Sequence, residues 1–173
     1  FIYLRSTIKW VNFAQERMLQ IIADTGASMV YSDHFNPQPA PVIDYQKGAL
    51  RDDFDFGSVL LIRTSALKKA VQRMDTEYEY AGLYDLRLKL SEDGELVHIP
   101  EFLYYDIEED TRKSGEKLFD YVNPANREVQ IEMEKVATEH LKKINGTVNT
   151  YVYRAPDFQK EQFILRIGQI RIA

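Results

Sequence analysis

The chain has 173 residues, no cysteine, a formal net charge of −5 and an apolar fraction of 45%. That length supports one domain with a substantial core. The missing cysteines exclude disulfides, thiolate catalysis and cysteine-zinc sites, and the acidic balance excludes a general nucleic-acid binder, which needs a basic face to displace counterions.

The opening FIYLRSTIKW lacks the basic, apolar and small-residue layout of a signal peptide. It starts without Met and in mid-strand, and so reads as the beginning of a fragment. Phe1 to Leu4 is expected to be a strand, and Trp10 to Ile22 a helix, because Trp10, Ala14, Met18, Ile21 and Ile22 recur at helical spacing. Gly26 is its expected stop. Ala27 to Tyr31 reads as a short buried strand that ends in Ser32-Asp33-His34, and the three prolines of Asn36 to Pro41 predict an extended loop.

Ser58 to Ile62 is a continuous apolar run, expected as a buried strand. Thr64 or Ser65 would cap a helix over Ala66 to Met74, with Leu67, Ala70, Val71 and Met74 as its stripe. A short amphipathic helix over Asp85 to Leu90 precedes a turn at Glu92-Asp93-Gly94. Two strands follow, ELVHI and FLYYDI, separated by Pro100. Glu108 to Lys117 reads as a mobile charged loop, and Asn123-Pro124 as the start of a helix that Gly146 stops. Residues 147–173 read as a linker with one or two strands. Strands alternating with helices point to an α/β sheet.

Several acids are candidates for chemistry. Asp33 follows a buried strand, and ligand crevices in open α/β sheets lie beyond the carboxyl ends of strands. It could hold a metal, a ribose or a sugar hydroxyl; a turn-capping role for Ser-Asp-His is the plainer alternative. Asp53-Phe54-Asp55 has the form Asp-x-Asp, which suits a hard divalent cation, and a solvated acidic loop is its alternative. Asp85 is placed for a general base near the start of a helix, or simply for a first-turn acid that favours the helix dipole. Arg112 and Lys113 could close over a diphosphate, or be a solvated charge run after Glu108, Glu109 and Asp110. His34, His98 and His140 show no partner at ligand spacing.

Taken together, FDFGSVLLIRTSALKKA, GLYDLRLKLSEDGELVHIPEFLYYDI, TRKSGEK and MVYSDHF resemble the second half of a family-two, GT-A-type inverting glycosyltransferase. The likeness covers roughly residues 1–120. It implies a GT-A-like mixed sheet flanked by helices over residues 1–122, incomplete without the nucleotide-binding half, then a helical extension over 123–146 and a linker or terminal strands over 147–173. It places Asp85 at the catalytic base, Asp33, Arg112 and Lys113 on the donor side, and Asp55, Phe56 and Gly57 on the acceptor side. A divalent metal, Mn or Mg, would fall to Asp33 or Asp55, because FIYLRST carries no carboxylate where the family has its Asp-x-Asp. The implied partners are a nucleotide sugar and a glycan or lipid-linked acceptor, and another transferase unit in tandem. The implied setting is bacterial surface polysaccharide synthesis in the cytoplasm, at the inner face of the membrane. The segment alone is expected to bind sugar nucleotides weakly or not at all, because the half that would hold the base and ribose is absent. The rival reading is a degenerate, non-catalytic module that binds glycan or positions a partner transferase; a metal-dependent hydrolase built on Asp33-His34 has no further ligand set.

Overall fold

A computed structural model describes residues 1–107, 127–144, 146–153 and 165–172. Strands β1 (Ile2–Leu4) and β2 (Ile8–Trp10) lead into helix α1 (Ala14–Thr25), followed by β3 (Met29–Asn36), β4 (Gln38–Ala40) and β5 (Val59–Ile62). Helices α2 (Thr64–Val71) and α3 (Gly82–Asp93) precede the long strand β6 (Leu96–Asp106) and helix α4 (Arg127–Lys143). Strands β7 (Gly146–Tyr153) and β8 (Leu165–Ile172) pair antiparallel in a second, two-stranded sheet. No helix among the described residues is long and apolar enough to cross a membrane.

The main sheet has the order β1-β5-β3-β6-β2, with β4 also paired to β3. It is mixed: β3 and β6 run parallel, and the other pairs are antiparallel. The two-residue period of the strands divides the core. Val30, Val59 and Leu61 point to the face covered by Ala14, Met18 and Ile22 of α1. Met29, Tyr31, Leu60 and Ile62 point to the opposite face, under Ala66 and Ala70 of α2 and Leu90 of α3. Burial on both faces explains why β5 is apolar at every position. The result is an α/β protein with helices on both sides of a mixed sheet.

Helix α1 starts later than its spacing predicts, because Ile8–Trp10 is claimed by pairing with Tyr104 to Asp106. Gly26 ends it in the left-handed region, φ 70°, as expected. Strand β3 continues past Tyr31 to Asn36, so Asp33 and His34 lie within a strand and not after it. Pairing with β4 and β6 holds that stretch extended. Within the expected proline loop, Gln38–Ala40 is itself a short strand, with Pro39 facing Phe35. Helix α2 is shorter than expected: Val71 is exposed and Met74 lies beyond the end. Its N-cap is Arg63, whose side chain donates to the Ala27 and Ile22 carbonyls.

Helix α3 runs from Gly82 through Asp93, absorbing most of the expected turn. The two strands around Pro100 are one strand. Proline has no N–H for the ladder, and the register skips Pro100-Glu101, so that Ile99 pairs Ser32 and Phe102 pairs Asp33. The expected loop Glu108 to Lys117 and the helix start at Asn123-Pro124 lie outside the described residues. Within 147–173, Ile167, Ile170 and Ile172 sit on β8, paired with β7.

Two side-chain devices close the fold. Asp106, at the end of β6, accepts from the hydroxyls of Ser6 (2.7 Å) and Ser58, joining the turn between β1 and β2 to the segment before β5. Glu132 of α4 accepts from the backbone N–H groups of Tyr80 (2.8 Å), Ala81 (3.0 Å) and Glu79 (3.2 Å). It thereby supplies, from another helix, the cap that Ala81 does not give α3. Val136 of α4 packs on Ala81, Tyr84 and Leu88 just beyond.

The N–H bond from Tyr80, with those from Ala81 and Glu79, lowers the Glu132 pKa. Its contribution to stability is therefore complete above its unfolded-state pKa and is lost as pH falls through the depressed folded-state value. Glu132→Gln should lower Tm at neutral pH, and the gap from the parent chain should close on acidification. Thermal melts of both proteins across the acid range check this.

Candidate functional site

The best-built polar constellation sits where the carboxyl half of β3 runs beside β6. Tyr31 pairs in register with His98, and their rings stack at 5.2 Å. Asp33 is buried at 5% exposure, and its Oδ1 accepts from the Val42 N–H (2.9 Å) and meets His98 Nε2 (2.9 Å). The other nitrogen of His98, Nδ1, meets Asp44 Oδ1 at 2.7 Å. A neutral imidazole has one N–H and can donate to only one of these carboxylates at a time. The Tyr31 hydroxyl donates to the Ile43 carbonyl and accepts from the Tyr45 N–H, both at 2.8 Å. Burial pushes the Tyr31 phenol well above its ordinary range, so it stays protonated as a structural donor. Asp33, Tyr31 and His98 thus strap residues 42–45 against the sheet.

His34 faces the other way. Its ring stacks on Tyr104 at 5.2 Å and 5°, and its Nδ1 is buried without a hydrogen-bond partner among the described residues. The Tyr104 hydroxyl accepts from the Ser58 N–H at 2.7 Å, and burial pushes its pKa up to about 12. Gly57, φ 73°, makes this approach of chains feasible, since a Cβ there would overlap the Tyr104 oxygen.

The acidic segment is split by local bonds. Asp55 Oδ1 accepts from the Gly57 N–H (2.8 Å), and Asp53 pairs with Arg51 (2.9 Å), which lowers the Asp53 pKa. No group of three or more His, Asp or Glu that could hold a metal occurs among the described residues. Phe56 is buried edge-on against Tyr31, at 4.9 Å.

Asp85 lies in the first turn of α3, buried at 4% exposure, with its carboxylate bonded to the Lys89 ammonium one turn on. Both line a cavity of about 340 Å³ with Arg73, Tyr78 and Glu139, on the side of α3 turned to α4. Phe56 lines a separate cavity. The structure thus brings Asp33 to His98 and Asp85 to Lys89. Arg112 and Lys113 lie outside the described residues.

Sequence reasoning found no partner for His98 and passed over Asp44 and Arg87. Asp33 and His98 are 65 residues apart and meet only through strand register, which no local spacing encodes. Comparison with known proteins gives no matching family model and no matching curated protein.

Two stability measurements test these assignments. Asp33→Ala leaves the Val42 N–H and His98 without their acceptor and should cost about 1–3 kcal/mol, whereas Asp44→Ala, at an exposed carboxylate, should stay within about 0.5 kcal/mol in urea unfolding. Asp85→Ala leaves Lys89 as an unpaired buried charge and should cost about 3–5 kcal/mol. Adding Lys89→Met should recover most of that loss, and a double-mutant cycle reads the coupling.

Proposed function

We propose that the chain is the second half of a GT-A-like glycosyltransferase domain, which moves a sugar from a nucleotide diphosphate to a glycan or lipid-linked acceptor with inversion, in bacterial surface polysaccharide synthesis. The observation that supports it best is Asp33. It stands near the carboxyl end of a parallel strand pair, where α/β sheets place their ligands. One of its oxygens is fixed by Val42 and His98, and its second takes no hydrogen bond among the described residues. That arrangement suits a carboxylate held rigid to accept from a sugar or ribose hydroxyl, or to join a Mn or Mg ion bound with the diphosphate. In this reading Asp33 positions the donor, and Asp55, Phe56 and Gly57 border the acceptor side.

A second reading, a non-catalytic transferase-like module that positions a partner, draws on one observation: the residue at the base position, Asp85, is committed to Lys89.

Calorimetric titration of the chain with uridine, guanosine and thymidine diphosphate sugars, with and without manganese, separates the two. The transferase reading expects weak, roughly millimolar binding of one donor class. Asp33→Asn should weaken it about tenfold, the loss expected for a charge-assisted hydrogen bond. The Asp85→Ala/Lys89→Met protein should bind as the parent does. No binding of any nucleotide sugar would favour the positioning module.

A further inference from the structure

Arg87 is the buried charge that the reading above does not use. It is 6% exposed, at the middle of α3. Its Nη2 donates to the Arg51 carbonyl (2.8 Å) and its Nη1 to the Ala49 carbonyl (3.3 Å). Its guanidinium lies 4.8 Å from the ring centre of Tyr84, 5.6 Å from Phe56 and 5.7 Å from Tyr45. Carbonyls and ring faces stabilise a cation without cancelling its charge. No carboxylate forms an ion pair with Arg87 among the described residues, unlike the equally buried Lys89, which has Asp85. Burial lowers the Arg87 pKa, with Tyr45, Tyr84 and Asp52 opposing part of that effect. An uncompensated buried cation is costly to keep, and an anion beside it would relieve the cost.

The space for an anion is adjacent. Arg87 lines a cavity of about 210 Å³ whose other walls include Met29, Phe56, Leu90 and Met133. Tyr80 and Leu83, also on its wall, are 44% and 40% exposed and mark its open side. An apolar chamber with one oriented charged group is the usual make-up of a small-ligand pocket. A dry cavity of about 150 Å³ takes up benzene, so this one has room for a six-membered ring or a six-carbon chain. One carboxylate, Asp52, also borders it; its Oδ1 accepts from the Asp53 N–H (3.0 Å).

We propose that this cavity binds a small amphiphilic acid, with an anionic carboxylate or phosphate-ester head against Arg87 and an apolar body among Met29, Phe56, Leu90 and Met133. The proposal shares Phe56 with the transferase reading but uses neither Asp33 nor a nucleotide, so the failure of one is distinguishable from the failure of the other.

The test is a ¹⁵N-resolved NMR titration of the full chain with hexanoate, hexyl phosphate and hexanol. Saturable shifts should centre on Leu83, Arg87 and Met133, and at least one of the acids should bind about tenfold more tightly than the alcohol. Which acid binds tighter identifies the head. Arg87→Met should erase the advantage of the acid while the alcohol still binds. Should that variant fail to fold, Asp52→Asn serves instead: removing the neighbouring negative charge should tighten acid binding by about threefold and leave the alcohol unchanged. Equal affinity for acid and alcohol, an unchanged acid affinity in Asp52→Asn, or shifts that avoid the cavity would overturn the proposal.

Discussion

Most of the structure turns on the burial of α3 from Tyr84 to Ser91. Leu86 and Leu90 face the sheet, Tyr84 and Leu88 face α4, and Arg87 reaches the 49–51 backbone. A helix so enclosed cannot keep a solvated polar face, yet its sequence carries Asp85, Arg87 and Lys89. Each charge must then be met inside the protein. Asp85 and Lys89 meet one another, and Arg87 is met by carbonyls and rings. Its two ends are also held by charge. Glu132 gathers the N–H groups at the entrance, and Arg73 pairs with Glu92 (3.1 Å) and Asp93 (2.6 Å) at the exit. His140 of α4, itself buried, meets Glu92 at 2.9 Å. Helix α4 is thus bonded to both ends of α3 and packed on its middle.

The same enclosure separates two regions that linear proximity to strands would merge. The Asp33–His98 constellation belongs to the sheet and its 42–45 strap, while Asp85 belongs to the interface of α3 with α4. Tyr31, Tyr45, Phe54 and Phe56 form an aromatic cluster with ring centres 4.4 to 5.9 Å apart, which packs with Leu86 and Leu90 of α3.

The strands and helices were legible where periodicity reports burial directly. Val59–Ile62 is apolar throughout because both its faces are covered, and Ala14, Met18 and Ile22 repeat every fourth residue because one face of α1 is. The reading failed where pairing outranks pattern. Trp10 fits the helical spacing of α1 but pairs with β6 as part of β2, and Gln38–Ala40 has the composition of a loop but lies along β3. The site was less legible still. Asp33 was visible from its place on a strand, but its partners were not, because His98 arrives through a register that the Pro100-Glu101 bulge resets two residues later. Asp85 was conspicuous for its position near a helix start, and that position said nothing about which side of the helix would be turned to α4.

Asp106 has a consequence of another kind. Strands β1 and β2 occupy opposite ends of the strand order although only Arg5, Ser6 and Thr7 separate them. The sheet must therefore curl until its borders approach, and the two serine bonds to Asp106 hold it there. A sheet border with unsatisfied backbone groups is a template for pairing with other chains. Here one short stretch at the start of the chain covers the outer side of both β5 and β6. Its loss would bare the border of β5 and the end of β6 together. Those ten residues, which line none of the cavities described, therefore keep these backbone groups from pairing with other chains.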